Sequence, residues 1–150
     1  MKSTTKWKIK MEKPLAPEIK EGPEAWNKNY GGTKMLIPTP RLIESILFQI
    51  PKGKIKTLSA LREEMAEECG ADYACPLTTG IFLRICAEYA EEFIAEGQKK
   101  IPPYWRVVRD DGSLMEKFPG GPEKQAAKLS EEGHQLQWIG KKIKKRAVVI

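Results

Sequence analysis

Proline and glycine cut this chain into short segments, and those cuts constrain its fold more than any other feature. Proline lacks the amide that a helix interior requires, and glycine readily takes the left-handed conformation that ends a helix. Residues 1–34 hold Pro14, Pro17, Pro23, Gly22, Gly31 and Gly32 among alternating charges, a mixture predicted to sustain no long helix and to bury little. An extended arm is expected over residues 1–35, with Trp7, Trp26 and Tyr30 pinning it across the surface of the folded part.

Helical order is predicted to begin at Thr39-Pro40, where threonine can cap and proline is already set for the first turn. A helix from there to about Gln49 places Leu42, Ile43, Ile46, Leu47 and Ile50 on one face, and Pro51 stops it. Ile50-Pro51-Lys52-Gly53-Lys54 reads as a turn. Thr57 or Ser59 then caps a second helix that turns Leu61, Met65 and Cys69 inward and stops at Gly70. A third helix starts near Leu77 to Thr79, buries Ile81, Phe82, Ile85, Cys86, Tyr89 and Phe93, and ends at Gly97. Tyr104 to Arg109 reads as a short strand entering an Asp110-Asp111-Gly112-Ser113 turn. Phe118-Pro119-Gly120-Gly121 reads as a glycine-bearing loop, and a fourth helix over Pro122 to Glu132 buries Ala126 and Leu129. The fold class is mostly α with a short β hairpin, and 150 residues with 41% hydrophobic content allow one core.

Charge is unevenly spread. Residues 1–34 carry eight lysines against four glutamates, and residues 139–150 carry four lysines and Arg146 without an acid, leaving 13 basic against 16 acidic groups in residues 35–138. A slightly acidic body with basic ends suits a folded unit whose arms seek a polyanion, although lysine-rich ends also serve solubility alone. Cys69, Cys75 and Cys86 form no C-x-x-C pair and His134 is the sole histidine, so neither disulfides nor a metal site is expected, and no cofactor is implied. No run approaches the ~20 apolar residues of a membrane span, and a cytoplasmic monomer that does not contact membrane is expected.

Ile50-Pro51-Lys52-Gly53-Lys54-Ile55-Lys56-Thr57, Thr79-Gly80, Pro103-Tyr104-Trp105-Arg106-Val107-Val108 and Leu129-Ser130-Glu131-Glu132-Gly133-His134 follow one another between predicted helices. In that order, across residues 36–138, they resemble the winged-helix, helix-turn-helix-like DNA-binding domain of the O-6-alkylguanine-DNA alkyltransferase family. The resemblance leaves residues 139–150 as a basic tail. It implies a helix-turn-helix along DNA, a finger residue that replaces an extruded base, and a cysteine that takes the alkyl group from guanine.

That chemistry needs a thiolate, raised from a neutral thiol by a histidine that a glutamate orients. Here the cysteine position holds Tyr104, the histidine position Trp105 and the glutamate position Glu132. A phenol with a pKa near ~10 is a poor nucleophile and an indole is no base. Leu58 stands where the family has its pocket tyrosine, Leu77 where it has the finger arginine, and the span from Leu77 to Tyr104 is longer than in typical members. The pattern therefore resembles a diverged alkyltransferase-like member that binds without transferring.

The residues expected to meet nucleic acid follow from this mapping. Tyr104 and Trp105 are either an aromatic floor for a base or core filling, and Phe118 and Gly120 either a pocket wall or a plain turn. Arg106 contacts nucleic acid or pairs with a body acid such as Glu132. Thr78 and Thr79 would present hydroxyls and N–H groups to phosphate, if they do not simply cap. Thr57, Leu58 and Leu77 hold the positions that the resemblance sets against DNA, Leu58 that of the pocket tyrosine and Leu77 that of the finger. Lys141, Lys142, Lys144, Lys145 and Arg146 supply phosphate-seeking charge. Three functions follow: a non-enzymatic DNA-binding protein with alkylated bases as a candidate target, a residual methylated-DNA–protein-cysteine methyltransferase that uses Cys75, or a protein- or RNA-binding scaffold that has lost the base pocket.

Overall fold

A computed structural model describes residues 6–140 and 146–149, and for Arg146 the backbone alone. The elements run α1 (Lys6–Glu12), β1 (Glu18–Glu21), α2 (Glu24–Tyr30), β2 (Lys34–Ile37), α3 (Pro40–Leu47), β3 (Lys56–Thr57), α4 (Leu58–Cys69), β4 (Tyr73–Ala74), α5 (Pro76–Ala95), a 3-10 turn (Tyr104–Arg106), β5 (Val107–Val108), α6 (Gly121–Glu131), β6 (Leu136–Ile139) and β7 (Arg146–Val149). The architecture is mostly α with three small sheets. No helix among the described residues is long and apolar enough to cross a membrane.

The core gathers around α5. Leu83, Ile85, Cys86, Ala87, Tyr89 and Ala90 are buried along it, and α3 brings Ile43, Ile46 and Leu47 against them. As expected from the local signals, the Thr39 hydroxyl oxygen accepts the Leu42 N–H, Pro40 opens α3, Thr57 caps α4 and Gly70 closes it in a left-handed conformation. One residue of the predicted α5 face is misplaced: Ile81 is 51% exposed rather than buried.

The N-terminal stretch is not an extended arm. Its prolines limit each piece to a few residues without preventing structure, and tertiary contact stabilises segments too short to hold alone. Trp7 and Met11 lie one turn apart on α1, which packs against α5, and Met11 is only 1% exposed. β1 pairs antiparallel with β2, which pairs parallel with β4. Gly22 permits the close approach of Tyr73, since a Cβ there would fall 1.8 Å from the Tyr73 hydroxyl. That hydroxyl donates to Asn27 Oδ1 at 2.8 Å and the Tyr73 ring stacks on Tyr30.

Two further expectations change. Tyr104–Arg106 is a 3-10 turn and only Val107–Val108 extends, pairing in parallel with β3 rather than opening a hairpin. The hairpin is instead β6 with β7: residues 146–149, read as part of a charged tail, form a strand whose Ala147 is fully buried. The β-branched Val148 and Val149 favour strand, and they outweigh the charge of the preceding residues.

If α1 is part of the core, Met11→Ala should cost about 2–5 kcal/mol, the usual loss for emptying a buried methionine site. Urea unfolding checks this: the midpoint falls while the slope is unchanged. A loss within ~0.5 kcal/mol, the usual range for a surface change, would detach α1 from the core.

Candidate nucleic-acid interface

The start of α4 is formed by the turn after Pro51 and by its own caps. The Thr57 hydroxyl oxygen accepts the Ala60 N–H at 3.2 Å, Leu58 is half-buried against the core, and Lys56 pairs with Glu64. Asp110, in the turn after β5, accepts the Ser59 N–H at 2.9 Å and the Ser59 hydroxyl. These two bonds hold the Asp110 carboxyl below the ordinary carboxylate range. The anion position at this helix start is thus filled by the protein's own carboxylate.

The start of α5 is different. Cys75 occupies the cap position without a side-chain cap bond, and Pro76 opens the helix. The Thr79 hydroxyl is buried and donates to the Cys75 carbonyl at 2.7 Å, so it is a local brace rather than a phosphate contact. Thr78 is half-buried with its hydroxyl enclosed, whereas Leu77 is 63% exposed and Gly80 is open. Cys75 itself is buried beside Met35 and Tyr73.

Tyr104 and Trp105 are engaged in packing. Tyr104 is 1% exposed, and its hydroxyl donates to the Glu91 carboxylate on α5. Lys124 of α6 donates to the other oxygen of Glu91. Burial pushes the Tyr104 phenol up, and its bond to Glu91 adds to the rise. Burial also raises Glu91, but hydrogen bonds from Lys124 and Tyr104 outweigh it and hold that carboxyl low. The Tyr104 ring meets Trp105 and Phe118 edge-on at 5.4 and 5.2 Å. Trp105 lies beside two cations, Lys128 at 4.6 Å and Arg106 at 5.7 Å from its ring centroid.

Arg106 makes the strongest polar anchor of this region. Its Nε donates to Glu132 Oε1 at 2.9 Å, its Nη2 to Glu132 Oε2 at 2.6 Å and its Nη1 to the Ile50 carbonyl at 2.6 Å. Burial raises the Glu132 carboxyl, but the bonds and charge of Arg106 prevail and hold it below its ordinary value. Sequence reasoning paired these residues but missed Gln125, which is 2% exposed. Its amide donates to the Trp105 and Val107 carbonyls and its oxygen accepts the Met115 N–H. Its position one turn before Leu129, on the inward face of α6, was the available signal.

Phe118 is buried, and the Gly120-Gly121 pair takes φ values of +78° and +72° to enter α6. This segment is a turn that packs the core with its phenylalanine. The structure therefore joins Tyr104, Trp105, Arg106, Phe118 and Glu132 in one packed cluster and leaves Thr57, Leu58, Leu77, Thr78 and Thr79 at two separate helix starts. Lys141, Lys142, Lys144, Lys145 and the Arg146 side chain lie outside the described residues.

No family model matches the chain, and no curated protein matches its sequence. Among solved structures, the chain is similar to the crystal structure of S. pombe Atl1 in complex with damaged DNA containing O6-carboxymethylguanine, at 17% identity and a TM-score of 0.47, over 74% of this chain and 87% of that one.

Glu132→Gln should destabilise the fold by about 3–5 kcal/mol, because it leaves the Arg106 guanidinium buried with half its partner gone. The native protein also carries a pH signature. The folded carboxyl titrates below its unfolded value of about 4.3, so its contribution is complete above that pH and is lost as pH falls through the folded value. Urea midpoints measured from neutrality into acid should show this loss in the native protein and a flatter profile in Glu132→Gln. Parallel profiles would sink the assignment.

Proposed function

We propose that the protein is a non-enzymatic nucleic-acid-binding protein of the alkyltransferase-like type, with duplex DNA as its ligand. The observation that carries the reading is the register of β6 and β7. Ile139 pairs with Arg146, so Lys141, Lys142, Lys144 and Lys145 belong by sequence to the link between two paired strands. Beside that link, Trp138 and Ile139 are 39% and 41% exposed. Lysines concentrated by sequence between two paired strands suit DNA, whose phosphates attract lysine.

The engagement of Tyr104 in the core supports a binding role over group transfer, and the burial of Cys75 argues against the methyltransferase alternative. Affinity then comes chiefly from phosphate contact, with little base selectivity from the Tyr104 and Trp105 cluster.

Binding to a duplex should weaken steeply with salt, as a linear fall of log affinity against log salt. Replacing the four lysines with glutamine should make that slope shallower by about 3–4, close to one unit for each phosphate no longer neutralised. Fluorescence anisotropy across a salt series measures both. An unchanged slope would move the contact away from the hairpin, and failure of the native protein to bind at moderate salt would end the reading.

A second outcome concerns chemistry. Incubation with a duplex containing O-6-methylguanine should leave the intact mass unchanged, and modified and unmodified duplexes should bind alike. A methyl adduct on Cys75 would establish the transferase reading instead.

A further inference from the structure

The helix that sequence reasoning missed builds a second surface. α1 lies against the first turns of α5, and with the segment from Met115 to Phe118 it encloses a groove of about 380 Å³, within the range of real ligand sites. Leu77, Ile81 and Arg84 follow one another at helical spacing along α5, with the two aliphatic side chains 63% and 51% exposed. Gly80 lies between them with nothing within 4 Å of where a Cβ would be, so a partner's backbone can come close. Trp7 closes the opposite wall.

The charge on this groove is of one sign. Lys6, Lys10 and Arg84 stand 4.7, 5.2 and 5.3 Å from the Trp7 ring centroid, and Lys117 joins the lining from the loop. Among the described residues, Lys10, Arg84 and Lys117 make no ion pair. Gathering cations from three elements costs repulsion that an anionic partner would relieve.

The same lining discriminates between kinds of partner. It contains no carboxylate, amide or hydroxyl side chain. A nucleobase placed there would find no side-chain acceptor for its amino and imino N–H groups, and leaving those buried and unpaired is costly. Aliphatic or aromatic side chains lose nothing in such a place, and carboxylates flanking them meet the lysines and arginine.

We propose that this groove is a protein-docking site, whose occupant is an acidic segment of a partner protein that inserts large apolar side chains between Trp7 and the Leu77–Ile81 face while its carboxylates face Lys10, Arg84 and Lys117. The site goes beyond the DNA binding proposed for the β6–β7 hairpin, since it uses neither that hairpin nor its lysines, although it includes Leu77 of the α5 start.

The test is selection of a displayed random peptide library on the full chain, followed by anisotropy with the selected peptides. Enriched peptides should combine Leu, Ile, Phe or Trp with several Asp or Glu. Their affinity should fall about tenfold or more with Ile81→Glu, the size of loss that marks a central contact. The double change Lys10→Glu with Arg84→Glu should weaken them likewise and favour peptides in which the acids are exchanged for lysine. The lysine-to-glutamine hairpin variant should bind them as the native protein does, which separates this site from the DNA reading. Ile81→Glu should stay folded, because the position is exposed and near a helix start where a carboxylate is welcome; if thermal unfolding shows otherwise, Leu77→Glu takes its place. Enrichment of neutral or basic peptides, affinity that survives these variants, or no enrichment beyond that on Ile81→Glu would overturn the proposal. A single-stranded oligonucleotide whose binding is lost in Ile81→Glu would overturn it too, by giving the groove to nucleic acid.

Discussion

The paired grip of Arg106 on Glu132 and the Ile50 carbonyl is the contact on which the middle of this molecule depends. Three chain segments distant in sequence end there: the turn after α3, the 3-10 turn before β5, and the exit of α6. Both side chains are nearly buried, at 12% and 8% exposure. Burying two charges is favourable only when their hydrogen-bonding groups are satisfied, and the fork of arginine meets that condition by matching the carboxylate while reaching a backbone oxygen. Once this junction forms, β5 is held against β3, and α6 closes over Val108 with Ala126 and Leu129. Gln125 completes the join by tying α6 to the strand and to the loop beyond it.

The same junction decides what the motif around it can do. Tyr104 and Trp105 immediately precede Arg106, so fixing the arginine fixes their directions. Tyr104 goes inward to Glu91, which also binds Lys124, while Trp105 is covered by cations from Lys128 and Arg106 itself. The Tyr104 hydroxyl, the Glu91 and Glu132 carboxylates and the Arg106 guanidinium are here engaged with other groups of the fold. A motif that resembles an active-site strand thus holds helices together, and new function has to come from other surfaces.

How much of this could be read from sequence followed the range of the forces involved. Thr39, Pro40, Thr57 and Gly70 act through neighbouring backbone groups, so the limits of α3 and α4 were legible residue by residue. The Arg106–Glu132 pair was legible as a need, because an arginine beside the apolar Trp105 and Val107 must find an acid. The helix at Lys6–Glu12 was not, since seven residues cannot hold a helix without the surface of α5, and that surface is assembled from distant sequence. β7 was obscured differently: the lysines before it dominated the reading, and the strand-forming valines after them were counted as tail. The 3-10 turn at Tyr104 escaped because its aromatic and valine neighbours favour extension, whereas the bond to Glu91 and the grip on Arg106 require the chain to curl.

Two of these misreadings, at α1 and at β7, fall where the molecule has unspent surface, and the two facts share a cause. A side chain whose position follows from local rules is generally one whose groups are paired within the fold, as with Thr39 and Thr57. Surfaces made by tertiary docking of short charged segments leave groups over. The docking of α1 buries Met11 but leaves Trp7, Lys10 and the outer side of α5 at a groove, and the pairing of β7 buries Ala147 but leaves Trp138 and Ile139 exposed beside a lysine-rich link. At the α1 groove an apolar and aromatic face adjoins Lys10, Arg84 and Lys117, which make no ion pair among the described residues. An interior rich in satisfied polar contacts and a periphery with cations to spare implies ligands that are anionic. The two surfaces differ in what accompanies the charge: a pair of strands at the hairpin, and an open apolar groove at α1, which suits side chains.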